Sequence, residues 1–118
     1  IAAKVREQIP DAPIIAFPRG SGIGLLPFTK ADGIAALGLD TAVDPKWASD
    51  MVPHNFALQG NLDPLALLAG GAGLDTGIDR ILSAMAGRAH VFNLGHGILQ
   101  QTPIAHVEHL MKRVRAGR

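Results

Sequence analysis

Short, unbroken apolar runs recur along the chain, and most are followed by a stretch whose hydrophobic positions fall three or four residues apart. Pro13-Ile14-Ile15-Ala16-Phe17, Ala35-Ala36-Leu37-Gly38-Leu39-Asp40, Asn55-Phe56-Ala57-Leu58-Gln59 and the run from His90 to Leu94 read as buried strands. The first is followed by a glycine-rich loop and a helix from about Leu25 to Asp32. Asp44 as a cap and Pro45 in a first turn open a helix carrying Trp47, Ala48 and Met51. After the third strand comes a long connection containing Gly70-Gly71-Ala72-Gly73, then a helix from about Asp75 to Ala86 with Ile78, Ile81, Leu82 and Met85 at helical spacing. Pro103 to Arg115 forms the last helix, expected to bury Ile104, Val107, Leu110, Met111 and Val114. Four strands alternating with four helices predict an α/β fold with a parallel sheet and crossover helices. Either half of an eight-stranded barrel or a small open sheet fits that order. A full barrel needs about 250 residues, so on the barrel reading the 118 residues supply half of the wall and leave two open edges. Ile1-Ala2-Ala3-Lys4-Val5-Arg6-Glu7 has a helical pattern and no initiating methionine, so the chain is expected to be a fragment that starts within a helix.

The chemistry concentrates at the ends of these strands. Phe92-Asn93-Leu94-Gly95-His96-Gly97-Ile98 stops an apolar run abruptly at a histidine between two glycines, which leave the ring's edge uncovered. His96 therefore falls in a loop after a strand's C-terminal end, the functional end of α/β proteins. Arg19-Gly20-Ser21-Gly22-Ile23-Gly24 follows the first strand, and its amides are candidates for an anion nest. With Asp40 twenty residues beyond Gly20, the same loop mimics part of a dinucleotide fingerprint, but the spacing is Gly-x-Gly-x-Gly and Pro27 shortens the helix start. Asp40 is a candidate either for a ligand contact or for capping the loop that follows it. His106 and His109 stand three apart on the last helix, a spacing compatible with a metal pair but without a third ligand nearby, so a solvated face is expected. His54, beside Pro53, is expected at the surface, and Trp47 and Phe28 in packing between helices and sheet.

Composition narrows the function classes. The chain is 47% hydrophobic and 18% charged with a net charge of +1, which signals neither disorder nor a nucleic-acid surface. Its one basic cluster, Lys112, Arg113, Arg115 and Arg118, sits at a helix C-terminus, where cations suit the dipole. Without cysteine there is no disulfide, thiolate nucleophile or thiolate zinc site in this stretch, in keeping with a reducing, cytoplasmic setting. No apolar run reaches the roughly 18 residues of a membrane span.

Asn93-Leu94-Gly95-His96-Gly97, with Leu58-Gln59-Gly60-Asn61-Leu62-Asp63-Pro64 upstream, resembles the C-terminal part of the uroporphyrinogen decarboxylase family in both order and spacing. The likeness runs through essentially the whole chain and covers about the last third of a family member. It implies the C-terminal half of a distorted (β/α)8 TIM barrel with its N-terminal half absent, so that 1–118 is a partial domain. It also implies that His96 lines a cleft and hydrogen-bonds a tetrapyrrole, whose carboxylates favour the charged, donating form of the ring. Arg19 and Gly20 would lie at the barrel mouth near substrate carboxylates. Asp40 matches the aspartate of the family's Gly-Leu-Asp segment, while Gln59, Asn61 and Asp63 are expected to fix loop geometry by local hydrogen bonds.

The activity implied is removal of the four acetate carboxyl groups of uroporphyrinogen III, giving coproporphyrinogen III. No cofactor is implied, because the pyrrole ring is its own electron sink, and the intact protein would be a homodimer. The family's arginine-rich motif, pyrrole-facing aspartate and cleft tyrosine have no counterparts here, so the 118 residues alone are expected to be inactive. A corrinoid- or thiol-handling methyltransferase of the same superfamily is the alternative, and the lack of cysteine counts against it.

Overall fold

The computed structural model describes residues 1–117. Arg118, the last member of the basic cluster, lies outside them. The elements run α1 (Ala2–Gln8), β1 (Ile14–Ala16), a 3-10 helix (Gly22–Lys30), β2 (Ile34–Gly38), α2 (Pro45–Met51), β3 (Ala57–Gln59), α3 (Pro64–Ala69), α4 (Gly71–Ala84), β4 (His90–Val91) and α5 (Ile104–Ala116). Four parallel strands pair in the order β1-β2-β3-β4, each joined to the next by a crossover. The α/β class and the strand sequence are as expected, with the strands shorter. A further parallel bridge, Leu62 to Leu94, carries the pairing of β3 and β4 into the loops beyond them.

Two helices differ from expectation. The segment after β1 is a 3-10 helix rather than an α-helix, with Pro27 inside it removing an amide that an α-helical ladder would use. Where a long connection was expected, α3 and α4 meet at Gly70, whose φ of +69° and ψ of −159° break one helix from the next. Asp63 caps α3 by accepting from the Leu65 amide and Pro64 opens it, the same Asp-Pro device that Asp44 and Pro45 supply to α2. The glycines of the first turn of α4 are poor helix formers, and packing compensates. A Cβ on Gly70 would lie 2.5 Å from the His106 ring of α5, and one on Gly77 would lie 2.8 Å from Leu62.

The core lies between the sheet and its helices. Leu37, Leu39 and Leu58 from the strand side meet Ala48, Val52, Leu67, Leu74 and Ile78 from the helices, all fully buried. Trp47 packs against this core, whereas Phe28 and Met51 are exposed. In α5 only Leu110 and Val114 are buried. Ile104 and Met111 stay exposed because they lie on the flank of α5 beyond β4, where no further strand follows among the described residues.

The other sheet face is open. Ile15 is 46% exposed, Phe17 47% and Val91 49%. These side chains alternate with half-buried ones such as Ala16 and Phe92, which pack against the core, and so share the side away from the helices.

Candidate functional site

Four loops converge at the C-terminal ends of the strands, and long-range polar contacts tie them together. Asp40, just past β2, accepts at Oδ2 from the Gly20 amide at 2.9 Å, joining the β1 loop to the β2 loop. Its Oδ1 accepts from the Ala42 amide at 3.2 Å and the Thr41 hydroxyl at 3.1 Å, which is the expected capping of the loop that follows it. The Gly20 and Ala42 amides hold this carboxyl below its ordinary range, with smaller help from the Thr41 hydroxyl and the nearby His96.

The β3 loop is attached by Asn61, which is 5% exposed. Its Nδ2 donates to the carbonyls of Asp40 at 2.8 Å and Val43 at 2.6 Å, bracing the β2 loop from below. Gly60 before it has a φ of +126°, and a Cβ there would fall 2.9 Å from the Leu39 carbonyl oxygen. The His90 ring lies 2.7 Å from the Gly60 carbonyl oxygen through Nε2. Asp63 thus fixes local geometry as expected, Asn61 does so through carbonyls 21 and 18 positions away rather than by local bonds, and Gln59 faces the open side and lines a depression.

The β4 loop carries Gly95-His96-Gly97, and its two glycines have different reasons. A Cβ on Gly95 would lie 2.6 Å from the Thr41 nitrogen and 2.9 Å from its Cα, so Gly95 is what lets the β4 loop rest on the β2 loop. A Cβ on Gly97 would meet nothing beyond its chain neighbours within 4 Å. Only Gly97 matches the expectation of open space beside the ring.

His96 is exposed. Its Nδ1 accepts from the Gly97 amide at 2.8 Å, which places the proton of a neutral ring on Nε2. Among the described residues nothing bonds Nε2. His96 lines an open depression of about 590 Å³ together with Phe17, Arg19, Gln59, Asn93 and Ile98. Phe17, Leu94 and Ile98 supply its apolar lining, and the polar groups are amides, one imidazole and one guanidinium. Among the described residues no carboxylate pairs with Arg19.

Of the sequence candidates, then, the structure brings His96 and Arg19 to one depression and places Gly20 and Asp40 beside it, bonded to each other. The anion nest is largely spent internally: the Gly20 amide goes to Asp40, the Ser21 amide to the Pro18 carbonyl and the Gly24 amide to the Ser21 carbonyl. The same contact removes the basis of the dinucleotide likeness, since the aspartate that would meet a ribose sits on the glycine loop itself.

Away from this end, His109 approaches Asp75 at 2.5 Å, and Asp75 and Asp79 also pair with Arg113 between α4 and α5. His106 is half-buried with Nδ1 3.0 Å from the Leu67 carbonyl oxygen, so only His109 belongs to a solvated face. His54 is exposed. Sequence reading missed Arg88, whose Nη atoms donate to the carbonyls of Ser49, Val52, Pro53 and Phe56. A lone arginine before a strand carries no local signal of that role.

Among the described residues no helix is long and apolar enough to cross a membrane. The family model described as uroporphyrinogen decarboxylase (URO-D) matches residues 1–117. The chain is 55% identical over 117 residues to the uroporphyrinogen decarboxylase of Sphingopyxis alaskensis, covering 99% of this chain and 34% of that protein. It is 53% identical to the one from Rhizorhabdus wittichii, covering 98% and 33%, and 49% identical to the one from Novosphingobium aromaticivorans, covering 98% and 34%. The chain thus spans about a third of the length of these relatives. With a parallel α/β sheet, a histidine at its C-terminal end and a match over 1–117, the chain belongs to the uroporphyrinogen decarboxylase family.

Proposed function

We propose that these residues form the C-terminal part of a uroporphyrinogen decarboxylase that removes the four acetate carboxyl groups of uroporphyrinogen III. The observation that carries this reading is the pairing, in one open depression, of an imidazole presenting Nε2 and an uncompensated guanidinium beside the apolar side chains of Phe17, Leu94 and Ile98. Such a surface suits a flat, partly apolar macrocycle rimmed by carboxylates: the apolar side chains take the rings, while Arg19 and His96 offer charge-assisted donors to the acid groups. Decarboxylation needs a proton delivered to the pyrrole carbon that bears the acetate, and the ring then receives the electrons released as carbon dioxide departs. On this reading no cofactor takes part. The role of His96 is to hold a carboxylate of the substrate in place, and the acid and the anion that faces the pyrrole nitrogens come from the remainder of the protein.

The 118 residues supply four of the eight units of a closed barrel on this proposal. The bare face of Ile15, Phe17 and Val91 and the free edges of β1 and β4 support it, since the missing units would cover all three. A cytoplasmic homodimer completes the proposal for the intact enzyme.

The test is a chimera in which these residues replace the matching third of the Sphingopyxis alaskensis enzyme. Conversion of uroporphyrinogen to coproporphyrinogen by the chimera, and none by the 118 residues alone, is the expected result. A folded chimera without turnover would overturn the assignment.

A further inference from the structure

Asp40 lies two residues past β2, beside the depression, and its carboxylate is fully engaged within the protein. Oδ2 takes the Gly20 amide, Oδ1 takes the Ala42 amide and the Thr41 hydroxyl, and the residue's own carbonyl is gripped by Asn61 from the buried side. A polyanionic ligand gains nothing from a carboxylate at its border unless that charge is already spent. The Gly20 amide is spent too, on an anion that belongs to the protein.

The next residue back is Arg19, at the apex of a turn. Its amide donates to the Phe17 carbonyl at 3.0 Å, and the Ser21 hydroxyl donates to the Pro18 carbonyl at 2.7 Å. Gly20 holds a φ of +69° with nothing within 4 Å of a would-be Cβ. The turn is therefore closed locally, but the Asp40 carboxylate is what fastens it to the rest of the strand-end surface. Without that bond the loop is held only at its two ends, by β1, an edge strand, and by the 3-10 helix whose Leu25 is buried in the core.

We propose that Asp40 is a positioning residue, a clamp whose carboxylate sits on the Gly20 amide and so holds the Arg19 guanidinium over the depression opposite His96. Arg19, not Gly20 or Asp40, meets the ligand's carboxylate. The Gly20 and Ala42 amides are the main groups that favour the ionised clamp, and His96 adds the smallest share. The clamp itself is read from contacts within the chain. Its consequence for substrate rests on the decarboxylase reading.

Two measurements on the intact protein test this. Hydrogen exchange at the Gly20 amide should be slow in the wild type and accelerate by about tenfold or more in Asp40→Asn, whose side chain offers that amide a weaker acceptor. In the wild type, protection should persist through the ordinary carboxylate range and be lost only at more acid pH, which reads the clamp even if the variant folds poorly. Exchange at Gly20 that ignores both the substitution and the pH would overturn the clamp.

The second measurement is a double-mutant cycle on uroporphyrinogen turnover with Arg19→Ala and Asp40→Asn. Each single change should raise KM by about tenfold with kcat nearly unchanged, and the double variant should be no worse than Arg19→Ala alone. Independent, multiplying effects would show that Asp40 does not act through Arg19. A wild type that does not turn over uroporphyrinogen, with the exchange result intact, would strike the substrate assignment and leave the clamp standing.

Discussion

The two ends of the sheet use polar groups for opposite purposes. At the N-terminal end, Arg88 spends its Nη donors on four backbone carbonyls at the close of α2 and in the loop before β3, and burial pulls its pKa down. At the C-terminal end, Asp40 and Asn61 bind the loops to one another, but Arg19 and the Nε2 of His96 are left without a partner among the described residues. The first arrangement satisfies the molecule, and the second leaves capacity for a ligand. This division is the one that parallel α/β folds show in general, with stability at one rim and chemistry at the other.

That contrast can be broken most forcefully at Arg88. Arg88→Ala should cost about 2–4 kcal/mol of stability, because four carbonyls lose a charged donor, while the folded fraction keeps its kcat. Urea unfolding together with single-turnover assays separates the two effects. Next, Gly95→Ala forces a Cβ against the Thr41 backbone and should cost about 1–3 kcal/mol, and here activity should fall as well, since the β4 loop carries His96. Loss of stability with unimpaired turnover would show that the packing of this loop does not aim the imidazole.

His96→Ala and His96→Asn reverse the pattern. Both should lower kcat/KM by about 10- to 100-fold, the worth of a charge-assisted hydrogen bond, and leave the denaturation midpoint in place because the ring is exposed. An unchanged rate in both would remove His96 from the site.

Smaller still is Asp44→Ala, expected to cost about 1 kcal/mol as a lost helix cap. Asp44 accepts from the Trp47 amide, and that bond, then the pairing with Arg80, holds its pKa below the usual carboxylate range. A depressed acid stabilises the fold at any pH above its unfolded value and loses that contribution as pH falls through its folded value. The stability difference between wild type and Asp44→Ala should therefore be constant near neutrality and close only in strong acid. The smallest effect belongs to Gly97→Ala, which meets no neighbour and no positive φ, and should change stability by no more than about 0.5 kcal/mol. The pair Gly95 and Gly97 thus sharpens the comparison within a single motif.

Much of this architecture is visible in the residue pattern. Each strand was recognisable as a short apolar run, and α2, α4 and α5 from capping signals or from apolar spacing, because both are local properties. The misreadings share a cause. The glycines at 70, 71 and 73 look like a connection by propensity, but α4 begins among them because Leu74 is buried and Gly70 admits the His106 ring of a helix more than thirty residues away. Ile104 and Met111 fit the apolar face of a helix, yet the sheet ends at β4 and leaves them uncovered.

The amino-acid sequence alone determined the class of fold, the order of its strands and the place of His96 after the last strand, since periodicity and turn chemistry are written within a few residues of one another. Only the tertiary structure decided what the polar residues do. Whether Asp40 meets a ligand or the Gly20 amide, whether a glycine is needed for conformation or for close approach, and which carbonyls Arg88 gathers are settled by contacts between residues twenty to forty positions apart. Such contacts leave no periodic trace, because the energy that selects them arises only when the strands have already brought their loops together.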